Sequence, residues 1–179
     1  MTVCKRGLVA SLLAAAVGFS PVGAVAQSSD ILDCAAENTP EYLASSMVDE
    51  IVAGQKTGAT SATPARDQGD AIIQECLNEA GLSDEVAVHY RLYSLMRMVA
   101  PEVERRLVEQ GVDFAELEAT VTSAVLQEPD DSEAVLVLIA GTAEQHLQGV
   151  QDRELTSTLV GFYIANEMLM RSSLRQLPK

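Results

Sequence analysis

The feature that most restricts the fold is the spacing of apolar residues, which recur every three or four positions along most of the chain after residue 28. This spacing is the period of one face of an α-helix. Strand-like runs are scarce, and the best of them, residues 134–140, begins after acidic residues and continues with helical spacing. We therefore expect an all-α fold, a single-domain bundle or orthogonal array of about six or seven helices with one disulfide.

Residues favoured at helix ends divide this pattern into segments. Residues that favour a helix start occur at Thr39-Pro40, Thr63-Pro64, Asp113, Asp130-Asp131 and Asp152. Gly81 and Gly111 stand just past the predicted ends of two helices, where Gly is favoured. Pro101 lies inside the longest apolar run, from Ser83 to Gly111, and predicts either a kink or two abutting helices.

The first 26 residues have the parts of a secretory leader. Lys5 and Arg6 form a positive start, residues 8–19 are almost all apolar, and residues 24–26 (Ala-Val-Ala) match a signal-peptidase site. The apolar run is shorter than the roughly 20 residues that a transmembrane helix needs. We therefore expect residues 1–26 to be a cleaved signal peptide and the protein to be periplasmic or secreted. Retention as a membrane anchor is the alternative.

Cleavage would leave 153 of the 179 residues, which is enough for one domain with its own core. The leader holds two basic residues and no acidic residue, so the net charge falls from −14 to −16. A field of this sign repels phosphate backbones and anionic lipid surfaces. We expect no nucleic-acid partner and no stable membrane insertion, and the oligomeric state stays open.

Three cysteines occur, and export would remove Cys4 and leave Cys34 and Cys76. Disulfides persist in exported proteins, so an even pair predicts a bond, with two free thiols as the alternative. Closing a loop of about 42 residues would stabilise the fold by about 4 kcal/mol in the chain-entropy model. The bond would tie an N-terminal segment, residues 27–38, to a helical domain, residues 39–179.

Motifs that carry chemistry are missing from the sequence. Neither histidine lies in a Glu-x-x-His or His-Glu-x-x-His motif, and Cys-x-x-Cys-His and Gly-x-Ser-x-Gly do not occur. We therefore assign no catalytic residue, metal ligand or cofactor. A site assembled from distant Ser, His and Asp side chains would leave no local signature, so a periplasmic hydrolase-like enzyme is an alternative.

One row of side chains is a candidate ligand-binding site. His89, Tyr93 and Arg97 are four residues apart and share a face of the longest predicted helix. In an acidic chain such a row can bind an anion or an acidic peptide, because Arg makes bidentate contacts to carboxylates. The competing interpretation is an ordinary exposed row of ion pairs, such as Glu102 with Arg105, which contributes little.

Together these patterns predict an exported, acidic, helical protein that acts as a non-enzymatic binding or interaction protein of the cell envelope. Its partner is expected to be another envelope protein or a small amphipathic ligand held between helices. Besides the hydrolase, an acid-responsive envelope protein is an alternative, because low pH would neutralise many carboxylates and remove their mutual repulsion.

Overall fold

A computed structural model describes residues 29–57, 63–127, 137, 141–142 and 144–177 of the chain. Its helices are α1 (Ser29–Glu37), α2 (Glu41–Thr57), α3 (Pro64–Ala80), α4 (Asp84–Gln110), α5 (Phe114–Gln127) and α6 (Arg153–Gln176). Residues 144–146 are also helical, and no strand occurs in the described ranges. The predicted all-α fold is confirmed. The predicted leader, residues 1–26, and the first part of the helix expected after Asp130 lie outside these ranges.

The long helix α4 forms the centre of the fold, because α1, α2, α3, α5 and α6 all contact it, α6 most extensively. Val99, Val103 and Leu107 on this helix are fully buried. They belong to one core that also includes residues of every other helix named above. Helix stability here therefore comes from packing rather than from intrinsic propensity. None of the described helices is both long enough and apolar enough to cross a membrane.

Pro101 lies inside α4 without ending it, so the structure has one helix where two abutting helices were the alternative. Proline cannot donate a backbone hydrogen bond, and this costs about 3 kcal/mol in a helix interior. Val99 and Val103 on either side of Pro101 are fully buried in the same core, which offsets that cost.

A buried hydrogen bond also joins α6 to α4. The side-chain amide of Asn166 in α6 donates to the Met96 carbonyl of α4 at 3.4 Å.

Several predicted caps are confirmed. The Asp113 carboxylate accepts from the Glu116 backbone N–H at 3.1 Å, and Asp152 accepts from Leu155 at 3.0 Å. Gly81 closes α3 with a φ of 61° in the left-handed region, which glycine enters without the usual steric cost.

The two Thr-Pro sites cap differently from the prediction. The Thr39 hydroxyl donates to the Ala35 carbonyl of α1 at 2.6 Å, and thus serves the end of the preceding helix. Thr63 has the backbone conformation of an N-cap, but its hydroxyl donates to the Glu50 carboxylate of α2. That carboxylate also accepts from the Ala65 backbone N–H at 3.4 Å. A side chain from another helix therefore caps α3.

Covalent, apolar and polar contacts hold the short helix α1 to the fold. Cys34 and Cys76 of α3 form the predicted disulfide, with Cα atoms 6.1 Å apart. Ala35 is fully buried in the main core, and the Tyr90 hydroxyl of α4 donates to the Ile31 carbonyl at 2.8 Å. An isolated helix of nine residues is unstable in water, so α1 depends on these contacts.

Candidate functional site

The structure places the predicted row of His89, Tyr93 and Arg97 on the side of α4 that faces α1. Tyr93 is buried, and the other two side chains are partly exposed. Arg97 donates from Nη2 to Asp33 Oδ1 of α1 at 2.8 Å, so α4 and α1 are joined by a partly exposed ion pair. Tyr93 packs in a small cluster with Met96 and Met170.

Charges from three helices meet around this row. The hydrogen bond to Asp33 raises the pKa of Arg97, and burial is the largest cause of the raised pKa of Tyr93. The carboxylates of Asp33 and Glu167 raise the Tyr93 pKa further, whereas Arg97 lowers it. The row therefore lies within an α1–α4–α6 contact. A ligand for Arg97 would have to share its guanidinium with Asp33, and the binding role of the row stays a prediction.

A second charged group, centred on Glu102, differs from the exposed ion pairs expected from the sequence. The Glu102 side chain is only 4% exposed. It accepts from Arg105 Nε and Nη2, both at 2.7 Å, and from Arg106 Nε at 2.6 Å. The hydrogen bonds from Arg105 are the largest cause of its lowered pKa, about 2. Arg106 also bonds Asp49 at 2.7 Å, so the cluster fastens α2 to α4.

The two histidines lie in different surroundings. His89 is partly exposed on α4, and His146 is buried after α5, where its Nε2 atom has no hydrogen-bond partner among the described residues. In the part of the chain that the structure describes, no hydrogen bond joins either imidazole to a hydroxyl or carboxylate. No group of three or more His, Cys, Asp or Glu side chains in these ranges could hold a metal ion.

An apolar surface that the sequence analysis did not single out extends over α4 and α6. We define the α4–α6 apolar surface by Val88, Leu92 and Leu169, which are 56%, 39% and 44% exposed. Two residues advance a helix by about 200°. Val88 and Leu92 are each two residues from Tyr90, which bonds α1, so both side chains face away from α1.

Leu169 of α6 also faces away from the His89–Tyr93–Arg97 row. Met170 packs with Tyr93 and Met96, and Asn166 donates to the Met96 carbonyl, so this part of α6 lies against the row. The Glu167 carboxylate raises the pKa of Tyr93 and Arg97, which is consistent with a position on the side of the row. Leu169 is two residues further along and faces the other way, toward the side that carries Val88 and Leu92. The three apolar side chains therefore lie on one side of the α4–α6 pair.

The other half of this side is covered by α2. Arg106 comes 18 residues after Val88, which is about five turns, so both point to the same side of α4. Arg106 bonds Asp49 and Ser45 of α2, and α2 also contacts α6. Along α4, the exposed side chains Val88 and Leu92 thus lie N-terminal to the segment that α2 covers. Periodicity alone did not separate Val88 and Leu92 from buried Val99, because all three belong to the same apolar run of α4.

Comparisons with known proteins give no match: no family model, curated protein or solved structure is significantly similar to this chain.

Proposed function

We propose that this protein is an exported, non-enzymatic binding protein of the cell envelope that docks a partner on the α4–α6 apolar surface. The observation that carries the proposal is the exposure of Val88, Leu92 and Leu169 on one side of two packed helices. Complete burial of a Val or Leu side chain contributes about 1.5–3 kcal/mol, and each of these half-exposed side chains forgoes about half of that while it faces water. A grouped apolar surface of this kind is typical of interaction sites.

Export is supported by two features. The first 26 residues have the composition of a cleaved leader, and the Cys34–Cys76 bond suits an oxidising compartment. If this protein is exported, intact-mass measurement of material isolated from its native cells should show a chain that starts at Gln27. A mass that includes Met1 or Lys5 would refute the export half of the proposal.

The docking half is tested with a photo-crosslinking amino acid at position 92, used in the cells that export the protein. A control variant of the same protein carries the crosslinker at position 108 instead. Val108 is 55% exposed on the same helix, about 200° around from Val88. A partner should be captured at position 92 and not at 108.

The matched variants Val88→Asp and Val108→Asp add the same charge to equally exposed valines. Val88→Asp should abolish the crosslink at position 92, and Val108→Asp should leave it intact. Equal crosslinks at both positions, or a product that survives Val88→Asp, would contradict docking on this surface. Melting curves of both variants check that neither change unfolds the protein.

A further inference from the structure

We infer that the partner docked on the α4–α6 apolar surface is an amphipathic helix of another protein whose apolar stripe is flanked by basic residues. This inference rests on the function proposed above and adds the chemistry of the partner.

The shape of the surface suits a helix. Val88 and Leu92 are one turn apart along α4. Leu169 of α6 lies near the level of Leu92, because its neighbour Met170 packs against Tyr93 and Asn166 donates to the Met96 carbonyl. Packed helices lie about 8–10 Å apart, and the groove between them accepts the ridge of a third helix. In this protein α2 already packs against both α4 and α6 on this side. A partner helix would occupy the free part of the same side, with apolar residues spaced at i and i+3 or i+4.

The charges beside the surface favour a basic partner. Asp84 and Glu85 are exposed in the first turn of α4, four and three residues before Val88, and therefore border the apolar row. The nearest basic side chain along α4, Arg91, donates to Gln74 of α3. Lys or Arg beside the apolar stripe of a partner would thus meet carboxylates at this end of the surface.

A second copy of the chain is a poor occupant. Two mature chains would each bring a net charge of −16, and like charges of this size oppose association. An anionic lipid surface is repelled for the same reason. The inference therefore commits to a basic helix from a different protein.

The experiment titrates the purified mature protein with two synthetic helical peptides of about 18 residues and identical leucine positions. One carries Lys at its polar positions and the other Glu, and fluorescence anisotropy of a terminal dye reports binding. The Lys peptide should bind at least about tenfold more tightly than the Glu peptide. Raising the salt concentration from about 50 to about 300 mM should weaken binding of the Lys peptide and reduce the difference in affinity between the two peptides.

The matched variants separate docking from general attraction to an acidic protein. Both Val88→Asp and Val108→Asp add one negative charge, so non-specific attraction of the Lys peptide rises equally in both. Val88→Asp should nevertheless weaken its binding about tenfold, whereas Val108→Asp should stay within about twofold of wild type.

Two failures are distinguishable. If both peptides bind the wild type equally and Val88→Asp weakens both, the inference of a basic partner is overturned, but docking on the surface stands. Equal behaviour of Val88→Asp and Val108→Asp toward both peptides would show that the surface is not used, which overturns the proposed docking and this inference together.

Discussion

Replacement of Glu102 by Gln should destabilise the protein by about 3 kcal/mol at neutral pH. The carboxylate is buried and accepts three hydrogen bonds from Arg105 and Arg106. Its pKa is lowered from 4.5 to about 2, and a shift of this size corresponds to about 3 kcal/mol of stabilisation. A Gln side chain keeps the shape, but its neutral oxygen is a weaker acceptor and its N–H₂ group faces two guanidinium groups.

The destabilisation should depend on pH in a defined direction. Because folding lowers the pKa of Glu102, its contribution is fully present above the unfolded value of 4.5 and disappears as the pH falls toward about 2. Urea unfolding of wild type and Glu102→Gln, with the disulfide intact, measures the difference in unfolding free energy. That difference should be about 3 kcal/mol at pH 7 and shrink steadily between about pH 5 and pH 3.

The matched control is Glu109→Gln. Glu109 is an exposed carboxylate that also pairs with Arg105, so its loss should cost less than about 1 kcal/mol. The reasoning is refuted if Glu102→Gln is no more destabilising than Glu109→Gln. A difference that stays constant from about pH 6 to pH 3 would also contradict it, because a titrating carboxylate must lose its effect on protonation.

Two further predictions concern the contacts of α1. The double variant Cys34→Ser/Cys76→Ser should lose about 4 kcal/mol of unfolding free energy, because the bond closes a loop of 42 residues. Amide hydrogen exchange should become faster first in α1. Unchanged urea unfolding would rule out this contribution of the disulfide. Arg97→Ala should lower stability by less than about 1 kcal/mol, because the pair with Asp33 is partly exposed. If the His89–Tyr93–Arg97 row binds a ligand, Arg97→Ala should weaken that binding with little change in melting, and unaltered affinity for a captured ligand would count against the row.

Fold class and most helix ends were predictable because their causes are local. Apolar spacing indicated the helices, and Asp113 and Asp152 cap as expected since a cap bonds the backbone only three residues away. The cap of α3 was not predictable in the same way. Its acceptor, Glu50, lies on α2, and only the packing of the two helices brings that carboxylate to Ala65.

Burial of charge was likewise beyond local reasoning. Glu102 and Arg105 are three residues apart, which is the spacing of an ordinary exposed ion pair on a helix. In the fold α2 lies against this part of α4, contributes Asp49 and Ser45, and leaves Glu102 buried. The difference in predicted importance, from negligible to about 3 kcal/mol, comes from the hydrogen bonds that Arg105 and Arg106 donate to Glu102, which lower its pKa by more than burial raises it.

The amino-acid order alone determined the class of fold, the cysteine pairing and the acidic charge, because periodicity, parity and composition need no knowledge of neighbours. It could not separate Val99 from Val88, which lie in the same apolar run of one helix. Only the arrangement of α2 and α6 around α4 buries the first and leaves the second in water. The candidate docking surface is thus a product of helix packing, since exposure depends on which helices cover each side.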